Sequence, residues 1–143
     1  MSCCSNRIFS GSSSAAQTVA VGGLLSFTKS VASKNQDFTS NSVTFEEPGL
    51  YLVTVSASGA VSGTTAGIIG IQLQQNGQNM AGYASTTYST GATDVESVTV
   101  QALVRVEPTT CPLDDRSVTV SVANTNSAAI YSNVTLTTLR LPL

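Results

Sequence analysis

Alternation of apolar and polar residues recurs along this chain, and it constrains the fold more than any other feature. Val98, Val100, Ala102, Val104 and Val106 share one side of a run that Pro108 ends. Tyr51, Val53, Val55 and Ala57 repeat the pattern, with Thr54, Ser56 and Ser58 facing the other way. Ile69, Ile71 and Leu73 alternate with Gly70, Gln72 and Gln74, and Val118, Val120 and Val122 with Ser117, Thr119 and Ser121. Ile130, Val134 and Leu136 open a last run that continues to Leu141. A period of two sends successive side chains to opposite faces of an extended chain, so each run is a half-buried strand. No segment sustains a helical period, and the chain reads as all-β.

The punctuation agrees. Glu46-Glu47-Pro48-Gly49 precedes the Tyr51 run: proline presets φ, and glycine takes conformations that other residues resist. Asn76-Gly77 closes the Ile69 run with a strong hairpin signal. Gly22-Gly23, between TVAV and LLSFTK, marks a hairpin or a bend, and Ser33–Ser40 is polar and reads as a loop. Residues 1–16 read as a flexible connector, because Ser10–Ala16, SGSSSAA, is small, polar and aperiodic. Residues 17–143 then hold eight to ten antiparallel strands, which means a sandwich, a barrel or a jelly roll. A chain of 143 residues favours one such domain.

Composition narrows the function. Charged residues make up 10% of the chain, against roughly a quarter in ordinary globular proteins. The bases Arg7, Lys29, Lys34, Arg105, Arg116 and Arg140 are scattered, so neither a nucleic-acid footprint nor a polybasic membrane anchor is expected. Histidine is absent, which removes the commonest general base and zinc ligand. Ala66–Gly70, AGIIG, lacks the strand-to-helix setting of a nucleotide loop. The expectation is a protein without catalytic residues, cofactor or metal. The N-terminus has no cationic start followed by an apolar stretch, so an extracellular location would be reached by lysis or by assembly inside a mother cell. Long, weakly charged strands expose edges that invite pairing, and lysine is the usual guard. Lys29 and Lys34 are the only lysines here. Much of the surface is therefore expected to lie against copies of the same chain.

The ordered series VTFEEPGLYLVTVSASG, IQLQQNGQ, VTVQALVRV, DDRSVTVSVAN and SNVTLTTLRL resembles the superfamily of tumour-necrosis-factor-like and complement-globular-head jelly rolls. Within it the pattern is similar to the C-terminal domain of the spore exosporium collagen-like glycoprotein. The carrying features are Phe45 with Pro48-Gly49-Leu50-Tyr51, then Leu73 with Asn76-Gly77, then Asp115 before the penultimate strand. The resemblance spans about residues 17–143 and implies a jelly-roll β-sandwich that forms a compact homotrimer and works through its surfaces. Two features depart from it: a serine-rich linker stands where a collagen-like stalk would be, and the mammalian members' calcium site is not evident.

Three cysteines stand out. Cys3 and Cys4 are adjacent, a spacing that disfavours a bond between them, and Cys111 lies in the loop EPTTCPLDDR. An odd number points to an intermolecular bond or a free thiol. Three readings stay open: incidental reduced thiols, cross-links to neighbouring subunits, or a metal site of poor zinc spacing. A Cys pair on an arm before a jelly roll resembles the subunits of endospore appendage fibres. That resemblance implies that Ile8 and Phe9 dock into a neighbour while Cys3 or Cys4 bonds to it, with Cys111 as a candidate partner.

Other candidates are weaker. Asp114, Asp115 and Glu107 offer oxygen ligands for calcium, but loop acids are usually solvated. Glu46-Glu47 reads as turn decoration, and the sequon at Asn133 falls inside a strand. Tyr83, Tyr88 and Tyr131 suit a core or an interface better than a sugar groove. The leading expectation is a self-assembling structural subunit of a bacterial fibre or spore appendage, on the surface of a spore or cell. Its partners are copies of itself and an anchoring or tip protein. The alternative is a receptor- or glycan-binding tip module of a phage virion or surface fibre.

Overall fold

A computed structural model describes residues 8–32, 37–108 and 116–141. Eleven strands are present among these residues. They are β1 (Ile8–Ser13), β2 (Gln17–Val19), β3 (Thr28–Ala32), β4 (Asp37–Thr39), β5 (Ser42–Phe45), β6 (Gly49–Val61), β7 (Gly67–Gln75), β8 (Gln78–Ser89), β9 (Glu96–Val106), β10 (Val118–Asn126) and β11 (Ala129–Arg140). They form two antiparallel sheets. The first has the order β3-β1-β11-β6-β9, with β2 also on β11, and the second the order β4-β5-β10-β7-β8.

The apolar sets identified by alternation meet between the sheets. Val53, Val55, Val98, Val100 and Leu136 of the first sheet pack with Ile69, Ile71, Leu73, Val120 and Val122 of the second. Each fully buried aliphatic side chain contributes about 1.5–3 kcal/mol. Tyr51 stacks on Phe45 at 4.3 Å between ring centroids, and its hydroxyl donates to the Glu47 carbonyl at 2.8 Å. The Pro-Gly turn thereby places Tyr51 as a clamp on its own entry loop. Arg140, from the other end of the chain, donates to the Pro48 carbonyl at 2.6 Å.

One buried polar network ties the sheets together. The Tyr131 hydroxyl lies 2.6 Å from Asn124 Oδ1 and 3.1 Å from the Gly70 carbonyl. The Asn124 amide donates to the carbonyls of Val19 at 3.1 Å and Ser127 at 2.8 Å. Both side chains are inaccessible to solvent, so these bonds offset what burying the polar atoms costs. Burial pushes the Tyr131 phenol up to about 12. Thr138 Oγ1 contrasts with this network, being buried and without a hydrogen-bond partner.

The structure departs from the sequence reading at two places. Residues 8–13, read as part of a flexible connector, form β1, paired with β11 on one side and β3 on the other. Within that strand Gly11 is required by space: a Cβ there would come 2.8 Å from Phe27 Cδ2. Residues 37–39, read as loop, form β4 on β5. Of the two readings of Gly22-Gly23, hairpin or bend, the structure has the bend. It leads the chain from β2 to the second sheet, where Gly22 and Leu25 donate to Asn124 and Val122 of β10.

Candidate functional site

Strand register builds the outward face of the first sheet. Ile8 stands opposite Leu139, Leu139 opposite Leu52, and Leu52 opposite Leu103. Paired residues of antiparallel strands share a face, so these four aliphatic side chains form one row across β1, β11, β6 and β9. Leu103 is 50% exposed, and Ile8 and Leu139 are 38% each. Toward one end of the sheet lies Leu50 opposite Arg105, with Leu141 donating its N–H to the Leu50 carbonyl at 2.8 Å.

Toward the other end the rows turn polar. Ser10, Thr137, Thr54 and Gln101 form the next row, and Ser12, Thr135, Ser56 and Thr99 the one after. Asn133, Ser58 and Ser97 follow, past a register shift in β11. Several of these side chains bond to each other: Ser58 to Ser97 at 3.1 Å, and Gln101 Nε2 to Thr54 Oγ1 at 3.2 Å. Arg105 is the only charged residue in these rows, and its Nε pairs with Glu107 at 3.0 Å. The face is thus aliphatic at one end, hydroxyl-rich over the rest and nearly chargeless.

A cleft of about 350 Å³ adjoins the aliphatic end, lined by Pro48, Gly49, Leu50, Arg105, Val106, Pro108 and Arg140. Both of its cations are engaged, Arg105 with Glu107 and Arg140 with Glu47 at 3.6 Å. The cleft therefore presents compensated charge to a ligand. No group of three or more His, Cys, Asp or Glu residues is arranged to hold a metal ion among the described residues.

The sequence-derived candidates fall as follows. Cys3, Cys4 and Cys111 lie outside the described residues, as do Asp114 and Asp115. Ile8 and Phe9, read together as a docking pair, point to opposite faces. Ile8 ends the exposed aliphatic row, whereas Phe9 is 1% exposed and packs on Phe27 and Phe38 of its own chain at centroid distances of 6.0 and 5.0 Å. Glu107 serves Arg105, and Glu47 serves Arg140. Tyr131 lines neither groove nor axis; it is fully buried, while Tyr83 and Tyr88 are exposed. Sequence reasoning missed the aliphatic row, because its members lie far apart along the chain and only register assembles them.

Comparison with known proteins adds the fold and little else. No family model matches the chain, and no curated protein matches it in sequence. Solved structures do match. A crystal structure of murine APRIL covers 96% of this chain and 100% of its own, with a TM-score of 0.64 at 10% identity. The globular domain of zebrafish complement 1qA protein covers 96% of this chain and 98% of its own, with a TM-score of 0.65 at 11% identity. The fold is therefore a jelly roll like that of these two proteins. Likeness at this identity fixes the fold, and a fold of this kind hosts many functions.

Proposed function

We propose that this protein is a structural, self-assembling subunit: copies associate as homotrimers through the outward face of the first sheet, and the trimers join into a bacterial surface fibre or spore appendage. The observation that carries the reading is the aliphatic row of Ile8, Leu139, Leu52 and Leu103, set among rows of β1, β11, β6 and β9 in which Arg105 is the only charged residue. A monomer leaving these leucines in water forgoes the gain from burying them, and a nearly chargeless face puts up no like-charge barrier to a second copy. The hydroxyl rows suit a contact whose hydrogen bonds are exchanged between equivalent strands. The likeness in fold to APRIL and to the complement 1qA globular domain supports an assembly that works through surfaces.

In this reading the residues before β1 tie one trimer to the next. Cys3 or Cys4 forms a disulfide with a neighbouring subunit, and Cys111 is the candidate acceptor. Because Phe9 seats in its own chain, the anchoring role shifts to the segment that precedes it. Electron microscopy of purified full-length protein under oxidising conditions tests the assembly, with filaments as the expected result. The Cys3→Ser/Cys4→Ser double variant is expected to stop at discrete trimers. Discrete trimers from the wild-type chain at high concentration would overturn the fibre, and an unchanged ladder on non-reducing gels from the double variant would overturn the covalent link.

A further inference from the structure

The hairpin of β7 and β8, in the second sheet, carries another surface. Gln74 pairs with Asn79 and Gln72 with Ala84, so Met80, Ala81, Gly82 and Tyr83 stand opposite Leu73 alone. The strand bulges outward here, and Gly82 takes φ +86, which a side chain would resist. Gln72 holds the bulge from beneath: its Nε2 lies 2.9 Å from the carbonyls of Leu73 and Met80 and 3.2 Å from that of Tyr83. Met80 packs against the core and anchors the same segment. The bulge is thus a built feature, fixed by one amide that satisfies backbone groups the ladder leaves unpaired.

Around it lies an open cleft of about 400 Å³, lined by Gln75, Gln78, Asn79, Met80, Ala81 and Tyr83. Its chemistry is distinctive. It contains three primary amides, one partly exposed aromatic ring and no charge. Asn79 Oδ1 accepts from Gln74 Nε2 at 3.0 Å, which orients the Asn79 amide group. Gln75 and Gln78 form no side-chain hydrogen bond with the described residues, so both keep a donor and an acceptor for a ligand. The cleft offers no charged group to pair with a phosphate, a carboxylate or a metal ion. A purely apolar ligand would strand the amides. A pyranose satisfies both halves of the surface, with adjacent hydroxyls for the amides and a C–H face for the Tyr83 ring.

We propose that this cleft binds a neutral glycan, with Tyr83 as the stacking platform and Gln75, Gln78 and Asn79 as hydrogen-bonding partners. The proposal does not rest on the self-association reading and is tested separately from it. The test applies full-length protein to printed neutral hexose and N-acetylhexosamine oligosaccharides beside sialylated and sulfated ones, then titrates the best-retained sugar. Neutral sugars are expected to be retained. Tyr83→Ala and Gln78→Ala, both at exposed positions, are each expected to weaken binding at least about tenfold. Tyr88→Ala, which removes the exposed tyrosine at the far end of β8, is expected to stay within about twofold of wild type. Failure to retain any neutral sugar, retention of acidic sugars alone, wild-type affinity in Tyr83→Ala, or equal loss in Tyr88→Ala would each overturn the assignment.

Discussion

The outward face of the first sheet and the β8 limb of the second are built from similar residues, yet they behave differently. In β9 the burial alternates without a break from Ser97 to Val106, one side chain in and the next out. In β8 almost every residue from Gln78 to Tyr88 is exposed or half-exposed, whichever face it points to. The reason is coverage. Strand β6 is flanked by β11 and β9, and its inward residues meet a second sheet. Strand β8 is an edge, and a bulge interrupts its ladder. A continuous ladder makes a regular surface that can match another copy of itself. A bulged edge makes a local, irregular surface that fits a small ligand.

The comparison can be broken at its weakest assumption, that β1 belongs to the ordered region. Phe9→Ala empties the space between Phe27 and Phe38, and the expected loss is about 3–5 kcal/mol in denaturant unfolding. A loss below about 1 kcal/mol would mean that β1 contributes little to the sheet.

Next in size is the network joining the two sheets. Tyr131→Phe leaves Asn124 Oδ1 buried without its donor, with an expected cost of about 1–3 kcal/mol. The same residue predicts an alkaline limb. The unfolded chain releases the phenol proton near its ordinary value of 10.0, while the folded chain holds it to about 12. Stability from this group is therefore complete below pH 10 and falls as pH rises through that window. Thermal melts of the wild type against Tyr131→Phe should converge across it; parallel curves would contradict the burial argument.

Gln72→Ala sharpens the contrast from the other side. It removes the amide beneath the bulge, and about 1–2 kcal/mol of stability should go with it. Amide exchange should accelerate in Met80–Tyr83 and stay unchanged in β9; uniform acceleration would show that the bulge is not a separate unit. The smallest effect is expected at Thr138. Thr138→Val removes a buried hydroxyl that has no partner, and stability should be unchanged or rise by up to about 1 kcal/mol. A clear loss would mean that the hydroxyl is satisfied by a group such as a bound water.

The same contrast explains what the sequence disclosed. Strands β6, β7, β9, β10 and β11 were legible because one face of each meets a core, and burial imposes a period of two on residue choice. Asn76-Gly77 was legible because both residues take positive φ, 52 and 78°, in the turn it forms. Strand β8 was not, since a strand exposed on both faces has no reason to alternate. Strand β1 was hidden by its Ser-Gly composition, which resembles a linker; Gly11 is small because Phe27 occupies the space a side chain would need. The site was less legible than the fold. The apolar pattern of Leu52 or Leu103 alone reads as an ordinary exposed leucine. Only the pairing of strands remote along the chain shows that Ile8, Leu139, Leu52 and Leu103 make one row.

Sedimentation equilibrium of the full-length chain under reducing conditions, beside Leu52→Lys/Leu103→Lys, tests the central claim most directly. Both substitutions fall on solvent-facing positions of the aliphatic row, so the fold should persist by circular dichroism. The account predicts a trimer mass for the wild type and a monomer mass for the double variant. A wild-type chain that sediments as a monomer at every concentration, or a double variant that remains trimeric, would contradict it.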